Sequence, residues 1–264
     1  MTELRGVYTL WLREVKRYLR DRVRIVSSFV QPVLWLLIFG KGIGSSLSAA
    51  FLPAGVSYQQ YLFPGIIGQT LLFTSMFMGI SVIWDREFGF LKEIMVAPIS
   101  RVAIFLGKML GDCTDAVIQG VIVFLLGFVL GIRLDVVIFL QILPIMLLMT
   151  FGLVSVGLVI ASFMENLESY GVIQSFVNLP LFFLSGALFL VSGQHAAALT
   201  VPGWMQTASI FDPLTYGVDA LRTILLGGAW GSYRLFPLYY ELLVIACFDL
   251  AMILIGTWAF SRRK

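Results

Sequence analysis

Six long apolar stretches, almost free of charged residues, constrain the fold of this chain of 264 residues more than any other feature. They cover residues 25–43, 61–84, 104–130, 136–163, 171–191 and 238–260. A helix of roughly 20 apolar residues crosses about 30 Å of hydrocarbon, so each stretch is long enough to span a bilayer. The sequence therefore predicts an all-α membrane protein with six transmembrane helices, folded as a single transmembrane domain over residues 1–264.

Composition supports the same fold class. Hydrophobic residues make up 59% of the chain and charged residues only 12%, whereas a soluble domain carries about 25% charged residues. So little polar surface cannot coat a water-soluble globule, and the function must be exerted in, across or at a bilayer. The chain opens on a charged segment rather than on a signal peptide, so we expect the first span to act as the targeting signal.

The distribution of basic residues predicts the orientation of the spans. Fourteen of the lysines and arginines precede the first span, follow the sixth, or lie between the second and third, and four lie on the other side. Because basic residues collect on the cytoplasmic side, both termini are predicted to be cytoplasmic in a multi-pass protein of the cell (plasma or inner) membrane.

Three segments outside the spans have amphipathic or turn-rich patterns. Residues 1–22 predict an amphipathic helix that lies in the headgroup layer with its cations near anionic lipid. Residues 85–98 predict a second, shorter amphipathic helix on the cytoplasmic face. Residues 192–237 predict an outer cap segment with short helices, one of which is capped by Asp212, begins at Pro213 and ends at Gly227.

Several kinds of chemistry are missing from the sequence. The single histidine, His195, and the separated Cys113 and Cys247 give no ligand spacing for a transition metal. No phosphate-binding loop and no nucleophile–base arrangement is evident. We therefore expect no metal, no cofactor and no catalysis by this chain, which argues against a membrane enzyme.

Acidic residues inside the predicted spans leave two interpretations open. Asp112 and Asp115 lie early in the third span and Asp249 near the middle of the sixth, where an ionised carboxylate costs roughly 2.5–3.5 kcal/mol. They are either a proton relay or polar lining of a conduit, or carboxyl groups satisfied by neighbouring helices or protonated. The first interpretation would make the chain an ion-driven secondary transporter.

Three stretches resemble the membrane subunits of type 2 ABC exporters, in the branch of the nodulation-factor exporter and the daunorubicin-resistance permeases. They are REFGFLKEIMVAPISRVAIFLGK at 86–108, LPLFFLSGALF at 179–189 and VPGWMQTASIFDPLTYGVDALR at 201–222. The resemblance covers nearly the whole chain in order and spacing. Asp212 departs from it, because that branch has asparagine there, and Phe189-Leu190 stands in place of Phe-Pro.

The resemblance implies a homodimer of this chain with two copies of a separate ATPase, which binds ATP and Mg, and no nucleic acid. It implies that residues 86–97 form a coupling helix and that the second and fifth spans face the dimer axis. Its expected ATPase contacts are Arg86, Glu87, Gly89, Leu91, Lys92, Glu93 and Pro98. Its expected pathway or gate residues are Phe183, Ser185, Gly186, Pro213 and Tyr216. The expected cargo is an amphipathic or lipid-linked drug, lipid or polysaccharide that leaves the cytoplasm.

Overall fold

The computed structural model describes residues 2–43, 52, 55–89, 99–129, 131–132, 134–191, 201–231 and 233–262. Its α-helices are α1 (Thr2–Arg20), α2 (Arg22–Trp35), α3 (Tyr58–Met78), α4 (Ile80–Glu87), α5 (Arg101–Val129), α6 (Val136–Phe163), α7 (Leu167–Leu184), α8 (Gly203–Phe211), α9 (Pro213–Leu226) and α10 (Leu238–Arg262). A π-helix over Leu36–Ile43 continues α2, and a 3₁₀ turn over Gly227–Trp230 follows α9. All regular structure in the described ranges is helical, which confirms the predicted all-α class.

Four segments of the described chain are long and apolar enough to cross a membrane. They are Tyr58–Glu87, Arg101–Phe128, Val136–Phe163 and Leu238–Ser261, and they correspond to the second, third, fourth and sixth predicted spans. The chain is thus a multi-pass membrane protein by length and composition.

The first and fifth predicted spans differ from the expectation. In the first, the apolar helical stretch covers only Val30–Gly40, and within it α2 changes to a π-helix at Leu36. In the fifth, α7 ends at Leu184, before the predicted end at residue 191. A total of six spans and the cytoplasmic position of both termini therefore stay predictions.

Local side chains explain where several helices begin. Ser57 and Gln60 form a reciprocal capping box at the start of α3, with the Ser57 hydroxyl accepting from the Gln60 amide at 3.2 Å. Asp135 caps α6 and Asn166 caps α7, each by accepting a backbone N–H bond. Such caps satisfy amide groups that have no partner inside the helix.

The start of α5 is also tied to the N-terminal helix. The Ser100 hydroxyl caps α5 by accepting from the Ala103 amide at 3.2 Å, as its position before the helix favours. Both carboxylate oxygens of Glu3 accept from the Ser100 amide at 3.0 Å. The hydroxyl and amide bonds from Ser100 lower the pKa of the Glu3 carboxyl, because they favour its charged form. The first turns of α1 and α5 are therefore joined.

The centre of the bundle is α3, which packs against α5, α6, α7 and α9. Of the most apolar part of the segment formed by α3 and α4, 83% is buried. Of the most apolar part of α10, only 22% is buried. Small residues let the neighbours approach closely: a Cβ atom at Gly65 would lie 2.7 Å from the carbonyl oxygen of Ala187, just beyond α7. Close backbone approach at small residues is typical of helix packing in membranes.

The N-terminal helix packs on the bundle by one of its faces, and its predicted position in the headgroup layer stays a prediction. Its buried face, with Leu10, Glu14 and Tyr18, lies against α5, where Gly107 and Gly111 leave room for it. The Trp11 indole also donates to the Thr114 hydroxyl at 3.0 Å. Three further apolar residues of this helix, Leu4, Tyr8 and Leu19, are exposed. The helix therefore has one face docked on the protein and another apolar face that is free to meet lipid.

The short helices between the fifth and sixth predicted spans follow their cap residues. Asp212 accepts from the Leu214 amide at 2.9 Å and Pro213 occupies the first turn of α9. The helix ends at Leu226, and Gly227 then adopts a φ of 53°, which favours glycine. The predicted cap, start and end of this helix are confirmed, while residues 192–200 of the outer cap segment, His195 included, lie outside the described residues.

Substitution of Gly65 by alanine should lower thermal stability, since the new methyl group meets backbone at Ala187 and the helices must move apart. We expect a loss of roughly 1–3 kcal/mol, the usual cost of overpacking. Gly171→Ala in α7 is the matched control, because a Cβ there meets no atom within 4 Å. Thermal unfolding of both variants in nanodiscs measures the difference, and equal stability would contradict the close approach.

Candidate functional site

A buried cluster of charged side chains joins three helices at the end of α4. Lys108 of α5 is fully buried, with 0% of its surface exposed. Its ammonium group donates to Asp85 Oδ2 of α4 at 2.5 Å, to Glu14 Oε1 of α1 at 3.2 Å and to Ser81 Oγ of α4 at 3.3 Å. A lysine ammonium has three N–H donors, and each has an acceptor here.

Two arginines of α1 extend the cluster toward solvent. Arg13 lies 2.6 Å from Asp85 Oδ1 and 3.3 Å from Glu14 Oε1. Arg17 lies 3.5 Å from Glu14 Oε2 and stacks over the Trp84 ring at 5.3 Å. Each carboxylate therefore bridges the buried ammonium and at least one guanidinium. Because a buried charge is tolerated only with partners, α1, α4 and α5 hold one another in place.

The end of α4 leads into the segment predicted to contact the ATPase. Arg86 does not point outward: its guanidinium donates to the carbonyl oxygens of Met164 at 2.7 Å and Ser162 at 3.4 Å, at the end of α6. Glu87 is exposed, and the side chain of Phe88 is 82% exposed.

The predicted helix over 85–98 differs from the structure at its start. Residues 85–87 are the last turn of α4 rather than a separate helix, and Gly89 turns the chain with a φ of 74°. Asp85 faces Lys108 and is unavailable to a partner. Leu91, Lys92, Glu93 and Pro98 lie outside the described residues, so their role as ATPase contacts stays a prediction.

The second predicted span is interrupted where α7 crosses it. Gly79 separates α3 from α4, and the Tyr170 hydroxyl of α7 donates to the carbonyl oxygen of Met76 beside the break. A Cβ at Gly79 would collide with this hydroxyl and, at 2.5 Å, with the carbonyl oxygen of Gly157 in α6. The break is therefore a contact point of three helices, and it lies between α3 and the charged cluster at the end of α4.

Two predicted gate residues meet at the opposite end of α7. Ser185 closes the helix, its hydroxyl donating to the Phe182 carbonyl at 2.7 Å, and Gly186 turns the chain with a φ of 69°. The carbonyl oxygen of Gly186 accepts from Arg222 Nη2 at 2.7 Å and from the Tyr61 hydroxyl at 3.0 Å. Arg222 is buried and also stacks over the Tyr61 ring at 4.0 Å.

The other predicted gate residues lie apart from this turn. Pro213 begins α9, and one turn on Tyr216 donates its hydroxyl to the Ile210 carbonyl at 2.7 Å and stacks on Phe236. Burial raises the pKa of the Tyr216 phenol. Phe183 is 41% exposed on the outer surface of α7. The structure thus brings together Ser185 and Gly186, and separately Pro213 and Tyr216, while Phe183 faces away.

The sequence is similar to a known family of transport proteins. The sequence profile of the ABC-2 type transporter family matches residues 5–226. The protein ycf38 of Cyanophora paradoxa, a transport permease by name, is 30% identical over 247 residues, which cover 88% of this chain and 80% of ycf38.

The chain belongs to the ABC-2 type transporter family. It is also 28% identical to Nodulation protein J of Rhizobium leguminosarum bv. trifolii, over 77% of this chain and 74% of that protein. It is 24% identical to the inner membrane transport permease YadH of Escherichia coli (strain K12), over 83% of this chain and 82% of YadH. The resemblance to type 2 ABC exporters is confirmed, and the chain is an ABC transporter membrane subunit of the kind that partners an ABC ATPase.

The intramembrane acids of this ABC-2 subunit lie where α5, α6 and α10 meet. Asp112, Asp115 and Asp249 are all buried and all contribute to the electrostatic surroundings of Cys113. The carboxylate of Asp249 rests on Gly152 of α6, where any side chain would collide with it. Within the described ranges, no three His, Cys, Asp or Glu residues are arranged to hold a metal ion.

Sequence reasoning missed the partners of two buried cations. The orientation rule places Lys108 among the basic residues between the second and third spans. Lys108 nevertheless lies inside the predicted third span, and this position is itself the signal of a buried charge. The orientation rule places Arg222 in the outer segment, although it follows Asp219 by three residues on an otherwise apolar helix.

Asp219 accepts from the Trp230 indole at 2.8 Å and from the Leu235 amide at 2.9 Å, so it anchors the connection from α9 to α10.

Replacement of Lys108 by methionine should strongly destabilise the end of the bundle that holds the charged cluster. The substitution keeps the length of the side chain but leaves Asp85 and Glu14 buried without the ammonium group. Removing one partner of a buried ion pair costs about 3–5 kcal/mol, which thermal unfolding in nanodiscs would detect.

The exposed Lys16→Gln is the control for that variant and should change stability by no more than about 0.5 kcal/mol. The double variant Lys108→Met/Asp85→Leu should recover part of the loss, because the two side chains interact directly. Stability of Lys108→Met equal to that of the control would contradict the role given to the cluster.

Asp212 should make stability depend on pH. Burial raises the pKa of its carboxyl to about 8, against the lowering effect of the bonds from Leu214 and Thr215. The unfolded carboxyl titrates near about 4, so between about pH 4 and about pH 8 only the folded state keeps the proton. Stability should therefore fall as pH rises through this range and level off above it.

Asp212→Asn should flatten that dependence, because the amide keeps the cap but does not titrate. Asparagine is also the residue found here in the branch that the chain resembles, and a neutral aspartic acid has nearly the same shape. Asp135→Asn, at the exposed cap of α6, is the matched control and should leave the slope in place. A slope that persists in Asp212→Asn would contradict the assignment.

Proposed function

We propose that this chain is the membrane-spanning permease subunit of an ATP-driven ABC exporter that moves an amphipathic or lipid-linked substrate out of the cytoplasm. Two copies of the chain would assemble with two copies of a separate ATPase, which binds ATP and Mg. The chain itself is the non-catalytic, moving part of the assembly. The observation that carries this proposal is the charged cluster at the end of α4, directly before the predicted coupling segment.

The cluster supports coupling because it makes the inner end of the bundle a rigid unit. Glu87 and Phe88 are exposed at the end of that unit and directly precede residues 90–98 in the sequence, and a mechanical linkage needs a surface of this kind. When ATP closes the ATPase dimer, the coupling segment moves, and α4 moves with it. Lys108 passes this displacement to α1 and α5.

An exposed apolar stripe on α7 is an argument for the proposed homodimer. Val172, Phe176, Leu179 and Phe183 are all exposed, and Phe176 is 76% exposed. They are spaced by three and four residues, so they share one helix face. A partner helix packed on this face would bury it, as the resemblance implies for the fifth span, and the two copies would part along it to release cargo.

The identity of the cargo rests on the resemblance and on composition. The branch handles drugs, lipid-linked sugars and polysaccharides, and the apolar, aromatic chain fits an amphipathic molecule better than an ion. Export, rather than import, is likewise the direction implied by the resemblance.

The rival function is ion-driven secondary transport through the intramembrane acids. Asp249 favours it, because this buried carboxylate has no hydrogen-bonding side chain among the described residues. The two functions differ in one measurement: the chain alone in vesicles should be inert as an ABC subunit, but should pump against a gradient if ions drive it.

Charge reversal at the coupling surface should separate ATP hydrolysis from transport. With the ATPase co-expressed, Glu87→Lys and Glu93→Lys should lower ATP-dependent movement of a fluorescent amphipathic dye across reconstituted vesicles about tenfold or more, the effect of losing roughly 1.4 kcal/mol of coupling. ATP hydrolysis should continue without responding to the dye. Both variants should keep the thermal stability of the unchanged protein.

The matched control is Glu168→Lys, a reversal at an exposed acid in the first turn of α7, which should leave coupled transport unchanged. Normal coupled transport by Glu93→Lys would contradict the coupling assignment. Sustained uphill transport by the chain without the ATPase would overturn the proposed function and support the rival.

A further inference from the structure

A groove of about 400 Å³ runs along α1 on the side that does not contact α5. Its described lining residues are Thr9, Leu12, Arg13, Lys16, Arg17 and Arg20. They are spaced by one, three and four residues, so they form one continuous face of the helix. Four of the six are cations, so this face of α1 is strongly basic.

The inner wall of the groove is held in position by the charged cluster. Arg13 is fixed by Asp85 and Glu14, and Arg17 by Glu14 and the Trp84 ring. A guanidinium has five N–H donors, and that of Arg17 donates to Glu14 through Nη1. Arg17 therefore presents further oriented donors to the groove at little further entropic cost.

The outer rim adds charge that the cluster does not neutralise. Arg13, Arg17 and Lys108 face two carboxylates, Asp85 and Glu14, which leaves one positive charge. Lys16 and Arg20 are exposed and add two more. A net charge of this size in a concave site attracts a compact anion with several oxygens, which phosphate groups provide.

The surroundings of the groove fit a lipid rather than a soluble anion. The exposed apolar residues Leu4, Tyr8 and Leu19 occupy the neighbouring sector of α1, and Trp84 borders the groove through Arg17. A helix with cations on one face and aromatic and leucine side chains on another lies at the bilayer interface. A molecule with a phosphate beside acyl chains satisfies both faces at once.

We propose that this groove is a binding site for the phosphate headgroup of an anionic phospholipid. The proposal rests on the membrane role of the chain and places the lipid in the leaflet that the N-terminal helix contacts. The bound lipid would tie α1, and through Glu14 and Lys108 the inner end of the bundle, to the membrane surface.

The test is a titration of the full-length chain in detergent with phosphatidylglycerol or phosphatidylcholine, with bound lipids counted by native mass spectrometry. The double variant Lys16→Gln/Arg20→Gln should lose affinity for phosphatidylglycerol roughly 30-fold, on the basis of two interfacial cations. Affinity for phosphatidylcholine should change little. Neither residue belongs to the buried cluster, so thermal stability and co-purification with the ATPase should be unchanged.

Arg5→Gln/Arg22→Gln removes the same number of exposed cations from outside the groove and should lose far less affinity. An equal loss in both double variants would mean diffuse attraction and overturn a defined site, as would undiminished binding in Lys16→Gln/Arg20→Gln. Inorganic phosphate that competes as strongly as phosphatidylglycerol would overturn the lipid assignment. Loss of ATPase co-purification with lipid binding intact would assign this face to the ATPase instead.

Discussion

A single buried ammonium group, that of Lys108, organises the end of this membrane subunit at which α1, α4 and α5 meet. In a bilayer, apolar side chains gain little by packing on one another rather than on lipid tails, so apolar contact alone does not fix the position of a helix. A buried cation does, because it must keep its acceptors. Lys108 draws Glu14 from α1 and Asp85 from α4 onto α5, and Arg13 and Arg17 complete the set.

Glycine gives the same bundle its close contacts. Because Gly107 and Gly111 have no side chain, α1 packs closely on α5 there. Because Gly79 has none, the Tyr170 hydroxyl packs closely on the second span. These positions lie beside the charged cluster and beside the break in the second span. Close approach and ionic pairing therefore act together, and the N-terminal helix is as much a part of the bundle as the spans are.

Local features were predictable from the sequence, and distant pairings were not. The four long spans follow from apolar length, and the start and end of α9 follow from Asp212, Pro213 and Gly227, because each signal lies within a few residues of its effect. The partners of Lys108 lie 94 and 23 residues away, and Arg222 reaches a carbonyl 36 residues away. A single sequence does not show which distant residues pair. It therefore pointed to residues 85–108 as the region of the site, but not to the partners of Lys108.

The helix of the fifth predicted span, α7, is hydrogen-bonded to the second predicted span at both of its ends. Tyr170 holds Met76 near its beginning, and just past its end Gly186 is held by Tyr61 directly. Arg222 of α9 donates a hydrogen bond to the carbonyl oxygen of the same Gly186. These contacts join the two helices within one subunit, so an export path of the proposed kind would not run between them. It would run instead between this pair and whatever packs on the exposed apolar stripe of α7.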